Sequence, residues 1–520
     1  MTHRHKEKQH MHQKFKSFHY KPLMLSIALG LTSFSTLAAV QPAPQQIDHY
    51  QGHARVFVLT DMGNEPDDQM SMVRLLTYSN ELDLEGLIAT TSTWQRAKRE
   101  TGTMNGIIKA YDEVRPNLLK HAKGWPTADY LEKIVSVGQP DYGMADVGQG
   151  KSSPGSKALI AAVDRNDPRP VWVTVWGGAN TLAQALYDVR ATRSADQLKA
   201  FEAKLRVYSI SDQDDAGPWI RKEFPDVTYI VKPSSPDGGE YASATWTGIA
   251  GDEYYKNGDG ADFSQVTNAW LDKNIRAKGP LGKHYLKYAF IMEGDTPSYL
   301  GLTDNGLNSN KNPSWGGWGG RYVFRQPYGE THAIWTQGGD WFGRVTSADT
   351  VKGADGQEHT SDQATIWRWR NQFQNDFAAR MDWTIKSFAQ ANHHPVAVVN
   401  GEGGKDVLYI KAKPGDRVVL DASQSSDPDK NKLSYHWFHY REAGYSGEVG
   451  KPGLADVTVT AANTSKTTIQ VNKACREGWL ADPRATRSSG VAHIILEVTD
   501  HGTPQLTSYR RVIIQVDAQK

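Results

Sequence analysis

Four carboxylates, Asp61, Glu65, Asp67 and Asp68, fall within the stretch Thr60-Asp61-Met62-Gly63-Asn64-Glu65-Pro66-Asp67-Asp68. Like charges at this density destabilise one another unless a cation or a set of hydrogen-bond donors intervenes. A helix N-terminus supplies donors and partial positive charge, about 0.3–1 kcal/mol per acidic group. That suits one capping Asp with solvated neighbours, but it does not account for the whole cluster. A hard divalent cation does, because Ca²⁺ takes roughly six to eight oxygen ligands and accepts several carboxylates together. The chemistry open to such a cluster is cation binding, with a further carboxylate placed to take a proton from water.

The flanking elements set where these carboxylates stand. "RVFVLT", "LEGLIATT", "PVWVTVWG", "KLRVYSIS" and "VTYIVK" read as buried strands. "DDQMSMVRLLTYS", "TGTMNGIIKAYDEV" and "NTLAQALYDVR" carry helical periodicity between them. Strands alternating with helices predict an α/β domain with a doubly wound, mostly parallel sheet. Ligands of such sheets bind beyond the carboxyl ends of the strands. Asp61, Asp67 and Asp68 fall there, with Gly63 easing the turn and Pro66 at the helix start. Trp369, Phe373, Phe377 and Met381 recur every fourth residue, predicting one long helix between Asp362 and Gln390.

Two further stretches have ligand chemistry. In "YSISDQDDAGPWIRKEF", Asp212, Gln213, Asp214 and Asp215 can hold vicinal hydroxyls and Trp219 can stack on a ring, or these residues can merely cap a helix. "NPSWGGWGGRYVF" (312–324) can lay its two Trp faces on sugar rings, or plug the core. Glu330 and His332 read as structural, as do Asp427 and Asp429 of an Asp-Pro-Asp turn.

The opening strand, Asp61-Met62-Gly63, Asp67-Asp68 and the apolar helix resemble the first motif of the nucleoside hydrolases. Leu59 stands where that family has its first Asp, and the loop is two residues longer. "TDMGNEPDDQMSMVR", "VWGGANTLAQAL", "YSISDQDDAGPWIR" and "EGDTPSYLGL" are closer to a bacterial subgroup, cellulose-binding nucleoside-hydrolase-like proteins with a β-sandwich after this domain. The resemblance implies Ca²⁺ as cofactor, with Asp61 as metal ligand and base, Asp68 as bidentate ligand and Asp67 on a sugar hydroxyl. It adds the Ala179 carbonyl and Asp295 as metal ligands, and Asn180 on the substrate. Asp212, Asp214, Asp215 and Trp219 fall where the family grips its sugar, although its Asn/Glu pattern is not reproduced there. Gly294 occupies the position of a family His, with Glu293 beside it as a further substrate contact.

Beyond "NHHPVAVVNGEGG" the pattern turns all-β, and "DRVVLDASQSSDPDKNKLSYHWF" resembles polycystic-kidney-disease and related immunoglobulin-like modules. The expected organisation is a signal peptide over 1–39, a nucleoside-hydrolase-like domain over 40–392 and an immunoglobulin-like β-sandwich over 393–520. The sandwich is expected to fold by itself. His3, Arg4, Lys6, Lys8, Lys14 and Lys16 precede "LMLSIALGLTSFSTLAA", an export signal cleaved after Ala38 or Ala39. Its apolar run is shorter than the ~20 residues of a membrane span, so no stable membrane insertion is expected after its removal.

The whole chain has 520 residues, 59 Lys+Arg against 58 Asp+Glu, so no global field recruits a nucleic acid polymer. The single Cys475 permits no internal disulfide. Sixteen Trp and 22 Tyr outnumber 14 Phe, a bias towards aromatics with polar edges that suit sugar-binding surfaces as well as cores. The expectation is a periplasmic or secreted bacterial Ca²⁺-dependent glycoside hydrolase acting on a carbohydrate-linked substrate, such as plant cell wall. The alternative is a carbohydrate-binding protein that keeps the metal site without turnover. The sequence does not decide between a monomer and a homodimer.

Overall fold

The computed structural model describes residues 47–235, 238, 240–250, 260–288, 291–338, 346–443, 453–475 and 489–517. The expected export signal lies outside these residues. The α/β domain is built on an eight-stranded sheet of β1 (Ala54–Thr60), β2 (Leu82–Ala89), β3 (Val135–Val137), β4 (Val171–Val175), β5 (Leu205–Ser209), β6 (Thr228–Ile230), β7 (Val323–Arg325) and β8 (Ile334–Thr336). Their order is β3-β2-β1-β4-β5-β6-β8-β7, parallel except for the antiparallel edge pair β7–β8. The chain runs outward from β1 to β3, then resumes on the other side at β4. The carboxyl ends of β1 and β4 therefore flank the topological switch point, where an open α/β sheet leaves a crevice.

Alternation along β1 sends Val56 and Val58 to one face, and Phe57 and Leu59 to the other. The first face is covered by α1 (Pro66–Leu76), α2 (Gly102–Leu118) and the helix Arg370–Trp383. The second is covered by helices that follow α3 (Ala128–Ile134): α4 (Pro154–Asp164), α5 (Asn180–Thr192), α6 (Ala195–Ala203) and α7 (Ala216–Glu223). Both faces are dry, which is why the strands read as near-continuous apolar runs. The predicted long helix forms as Ala364–Trp367 followed by Arg370–Trp383, shorter at its end than the periodicity predicts, and it buries Trp369, Phe373, Phe377 and Met381.

After a short hairpin of β9 (Asp349–Lys352) and β10 (Glu358–Ser361), the C-terminal region forms two sheets. One holds β11 (Leu408–Ala412), β13 (Leu433–His439), β14 (Gly453–Leu454), β17 (Ser489–Asp500) and β18 (Thr507–Asp517). The other holds β12 (Arg417–Asp421), β15 (Asp456–Thr460) and β16 (Lys466–Lys473). Between them lies a core containing the buried Trp437. Part of the opposite face of the first sheet is also buried. Tyr440, Ile495 and Tyr509 join the core of the α/β domain, and Arg511 donates to the carbonyls of Leu307, Trp315 and Gly316 at 2.6, 3.0 and 3.0 Å.

This docking decides the role of "NPSWGGWGG". Trp315 and Trp318 are buried, packed edge-on against His493 and Tyr509 respectively, so neither offers a face to a sugar. Gly316 has φ +69, and a Cβ there would run into the Tyr440 hydroxyl. The glycines let the loop approach the sandwich closely. In the Asp-Pro-Asp turn, Asp427 accepts from the backbone N–H of Asp429 and Asn431, while Asp429 holds His393 of the connecting segment.

Candidate functional site

Asp61 is the first residue after β1. Its Oδ2 accepts a 2.5 Å hydrogen bond from Ser92 Oγ, at the carboxyl end of neighbouring β2. Gln95 Nε2 donates to the carbonyls of Asp61 and Met62 at 2.8 and 3.1 Å, fixing the backbone beneath the carboxylate. Gly63 turns the chain at φ +91, a conformation that favours glycine, and Pro66 opens α1. Asp67 and Asp68 then occupy the first helical turn, both buried, with Thr60 Oγ1 donating to Asp68 Oδ1.

Asp295 reaches the same place from the other end of the domain. It precedes the short helix Pro297–Leu300, whose Ser298 accepts from Trp176 Nε1 at 2.9 Å. The turn before it is held by Glu293, a fully buried residue at φ +53 that pairs with Arg74 of α1 at 2.6 Å. Thr296 and Tyr285 also donate to the Glu293 carboxylate. Glu293 thus positions the turn and is committed to that task. Gly294 is explained by space. A Cβ at this position would stand 2.8 Å from Asp67 Oδ2 and 3.0 Å from the Trp246 ring.

One oxygen from each of Asp67, Asp68 and Asp295 can lie within 4.8 Å of the others. Burial, followed by mutual repulsion, pushes the carboxyls of Asp67, Asp68 and Asp295 well above the usual range. Burial raises Asp61 to about 6, against the lowering effect of the Ser92 hydrogen bond. Glu65 is raised by burial and by the charge of Asp61. Asp295 Oδ2 is buried without a hydrogen-bond partner. A dry, all-oxygen, net-acidic cluster with an orphaned carboxylate oxygen fits a hard divalent cation, which would offset both repulsion and desolvation. The cavity these residues line encloses about 20 Å³, the scale of one ion or water. Its other walls include Trp94, Trp176, Gln213, Tyr241 and Trp246.

Apart from Gln213, the remaining sequence candidates do not line this cavity. Ala179 caps α5, its carbonyl accepting from Ala183 N–H at 3.0 Å. Asn180 donates its side-chain amide to the Asp141 carbonyl at 2.8 Å. Asp212 is locked in a buried two-pronged pair with Arg221 at 2.8 and 2.9 Å, and Arg221 also holds Glu330. Asp214 accepts from the backbone N–H of Asn180 and Ala216, joining the starts of α5 and α7, and burial pushes it up to about 7. Asp215 accepts from Met144 N–H, and Trp219 packs on Phe224 with Arg190 above its ring. Helix capping and ion pairing account for the three Asp of this segment, whereas Gln213 between them lines the cavity and donates to the Trp176 carbonyl at 2.5 Å.

Sequence reasoning missed Ser92, Trp94, Tyr241 and Trp246. Ser92 and Trp94 follow β2, the immediate neighbour of β1, so their place beyond a strand's carboxyl end is a usable signal. Tyr241 and Trp246 lie in an irregular stretch with no periodicity to place them.

The doubly wound sheet, with acidic groups gathered beyond β1, defines a nucleoside hydrolase-like protein. A family model described as cellulose-binding Sde182, nucleoside hydrolase-like domain, matches residues 55–322. A second, for the C-terminal domain of cellulose-binding protein Sde0182, matches 417–516. A nucleoside hydrolase-related hypothetical protein of Saccharophagus degradans, associated with carbohydrate metabolism, is 40% identical. The match covers 90% of this chain and 100% of that one, with a TM-score of 0.71. The chain belongs to this cellulose-binding, nucleoside hydrolase-like family. The solution structure of a PKD domain from the KIAA 1837 protein is 23% identical over 22% of this chain and 83% of its own, at a TM-score of 0.14. No curated protein matches the chain.

Proposed function

We propose that this protein is an exported, Ca²⁺-dependent glycoside hydrolase acting on a carbohydrate of the plant cell wall type. The observation that carries this reading is the convergence of Asp67, Asp68 and Asp295 at the switch point, with Asp61 lining the same cavity and one Asp295 oxygen buried and unpartnered. The residues that would hold the cation are Asp68, Asp295 and Asp61, with Asp67 close enough to share it or to hold a sugar hydroxyl. When bound, the cation supplies positive charge that acidifies water and orients adjacent hydroxyls. Asp61 accepts the proton from the attacking water. Ser92 and Gln95 keep its carboxylate and backbone aimed while that happens. The family's association with cellulose, and the relative's with carbohydrate metabolism, support a sugar as partner. The basic and apolar N-terminal segment supports export.

The test is a screen of the purified full chain with Ca²⁺ against cello-oligosaccharides, xylo-oligosaccharides and ribonucleosides, reading released reducing sugar. Release that stops on chelation is the expected result. A second reading, carbohydrate binding without turnover, is favoured by Gly294, where close packing against Asp67 leaves no side chain at the position of the family His. Ca²⁺-dependent sugar binding with no release in the screen would select it.

A further inference from the structure

We propose that Trp94 is a specificity-determining residue whose exposed indole face carries the second ring of a β-linked oligosaccharide, the first being held at the Asp61–Asp67–Asp68–Asp295 cluster. This inference rests on the carbohydrate reading of that cluster.

Trp94 alone among the described tryptophans is exposed, at 46%. A single exposed apolar side chain needs no explanation by itself. This one stands in the wall of the carboxylate cavity, on a turn whose backbone is hydrogen-bonded at several points. It sits near the tip of a tight turn closed by Ser92 and Gln95, whose backbones bond each other at 3.1 and 3.2 Å. Its N–H donates to Ser92 Oγ at 3.1 Å, the hydroxyl that also donates to Asp61. Gln95 ties the far end of the turn to the Asp61 and Met62 carbonyls, and Thr93 N–H donates to the Gln213 carbonyl at 2.7 Å. The indole packs edge-on against Tyr241, with ring centres 6.4 Å apart. The backbone of Trp94 is thus registered to the Asp61 carboxylate through one hydroxyl, the indole rests against Tyr241, and part of the ring is left to solvent.

A preorganised aromatic face loses little conformational freedom when a ligand covers it. The cavity's size then sets the ligand. About 20 Å³ admits an ion or a water but not a sugar ring, so a ring must lie across the mouth, offering hydroxyls inward. A ring doing that is engaged by carboxylates, and an apolar platform beside it is served by a neighbouring ring. β-linked pyranoses with equatorial substituents present flat C–H faces suited to an indole. The family's cellulose association selects this occupant over a nucleobase, which also stacks.

The experiment is calorimetric titration of the full chain in Ca²⁺ with glucose, cellotetraose and adenosine. It uses wild type, Trp94→Ala, Trp94→Phe and Asp67→Asn, with the melting temperature of each as the folding control. Cellotetraose should bind about tenfold or more tighter than glucose. Trp94→Ala should remove that gain, weakening cellotetraose binding far more than glucose binding, and Trp94→Phe should keep most of it. The proposal is overturned if chain length brings no gain in wild type, if Trp94→Ala binds cellotetraose normally, or if the variant loses adenosine affinity alone. If chelation and Asp67→Asn spare cellotetraose binding while Trp94→Ala abolishes it, the platform stands and the metal-centred reading of the cluster falls.

Discussion

Asp61, Asp67 and Asp68 sit within one turn, yet their surroundings divide their work. Asp61 accepts from the Ser92 hydroxyl beyond β2 and Asp68 from the Thr60 hydroxyl of β1, while Asp67 and Asp68 share the helix start with Asp295 opposite. In an active enzyme, Asp61→Asn is expected to cut turnover by roughly 10²–10⁴-fold with the fold intact, because the amide keeps shape but loses basicity. Asp68→Asn should lower cation affinity first, so added Ca²⁺ restores part of the rate. Asp67→Asn should chiefly raise KM. A Ca²⁺ titration of steady-state rates for the three variants checks all of this, and identical Ca²⁺-insensitive rates would sink the assignment. Gly294 yields a separate prediction. Because a methyl group there lands 2.8 Å from Asp67 Oδ2, Gly294→Ala should weaken Ca²⁺ binding while sparing the rest of the domain. Equal Ca²⁺ affinity of variant and wild type by calorimetry would contradict it.

At the scale of elements, Asp295 is placed by a pairing far from the cation chemistry. Glu293 and Arg74 are both fully buried, so the turn carrying Asp295 is bolted to α1, which carries Asp67 and Asp68. Replacing Arg74 by Met should leave Glu293 uncompensated and cost about 3–5 kcal/mol, read as a lower urea midpoint. A midpoint within error of wild type would mean the turn is held by other means. This also shows what a sequence can reveal. β1, β2, β4 and β5 announce themselves by runs of Val, Ile and Leu, because burial on both faces demands them. β3, β7 and β8 have three residues each, too few for any period to emerge. The grouping of Asp61, Asp67 and Asp68 was legible because one turn carries all three, whereas Asp295, far along the chain, was reached only through the family resemblance. The Asp212–Asp215 run was not legible, since a carboxylate that caps a helix or pairs with a buried Arg looks the same in sequence as one that holds a hydroxyl. Nor was the destination of "NPSWGGWGG", which depends on a sandwich more than a hundred residues onward.

For the whole molecule, the consequence of that docking is that the two domains stand or fall together. The sandwich has its own core around Trp437, but Tyr440, Ile495, Tyr509 and Arg511 face the α/β domain in a buried contact. A chain ending at Asn392 would strip cover from Trp315, Trp318 and Trp369, and would leave the Trp315 and Gly316 carbonyls without Arg511. Burial of those groups then has to be replaced by water or by another copy. The expected outcome is aggregation or a markedly lower melting temperature than the full chain; a monomeric truncation melting like the parent would refute it. The junction also carries an acid limit. At Asp376 burial raises the carboxyl, but Arg380 and His394 of the connecting segment more than offset this, holding it well below its ordinary range. His394 Nε2 lies 2.6 Å from one oxygen, and Tyr78 donates to the other at 2.8 Å. A carboxyl lowered by folding contributes stability that is present above the unfolded value, near 3.9, and is lost as pH falls through the folded one. Asp376→Asn removes that linkage. Guanidinium midpoints measured from about pH 6 down to pH 2 should therefore fall less steeply below about pH 4 in the variant than in wild type. Parallel curves would show that Asp376 is not what acid dismantles first, and that the junction survives protonation of its central carboxylate.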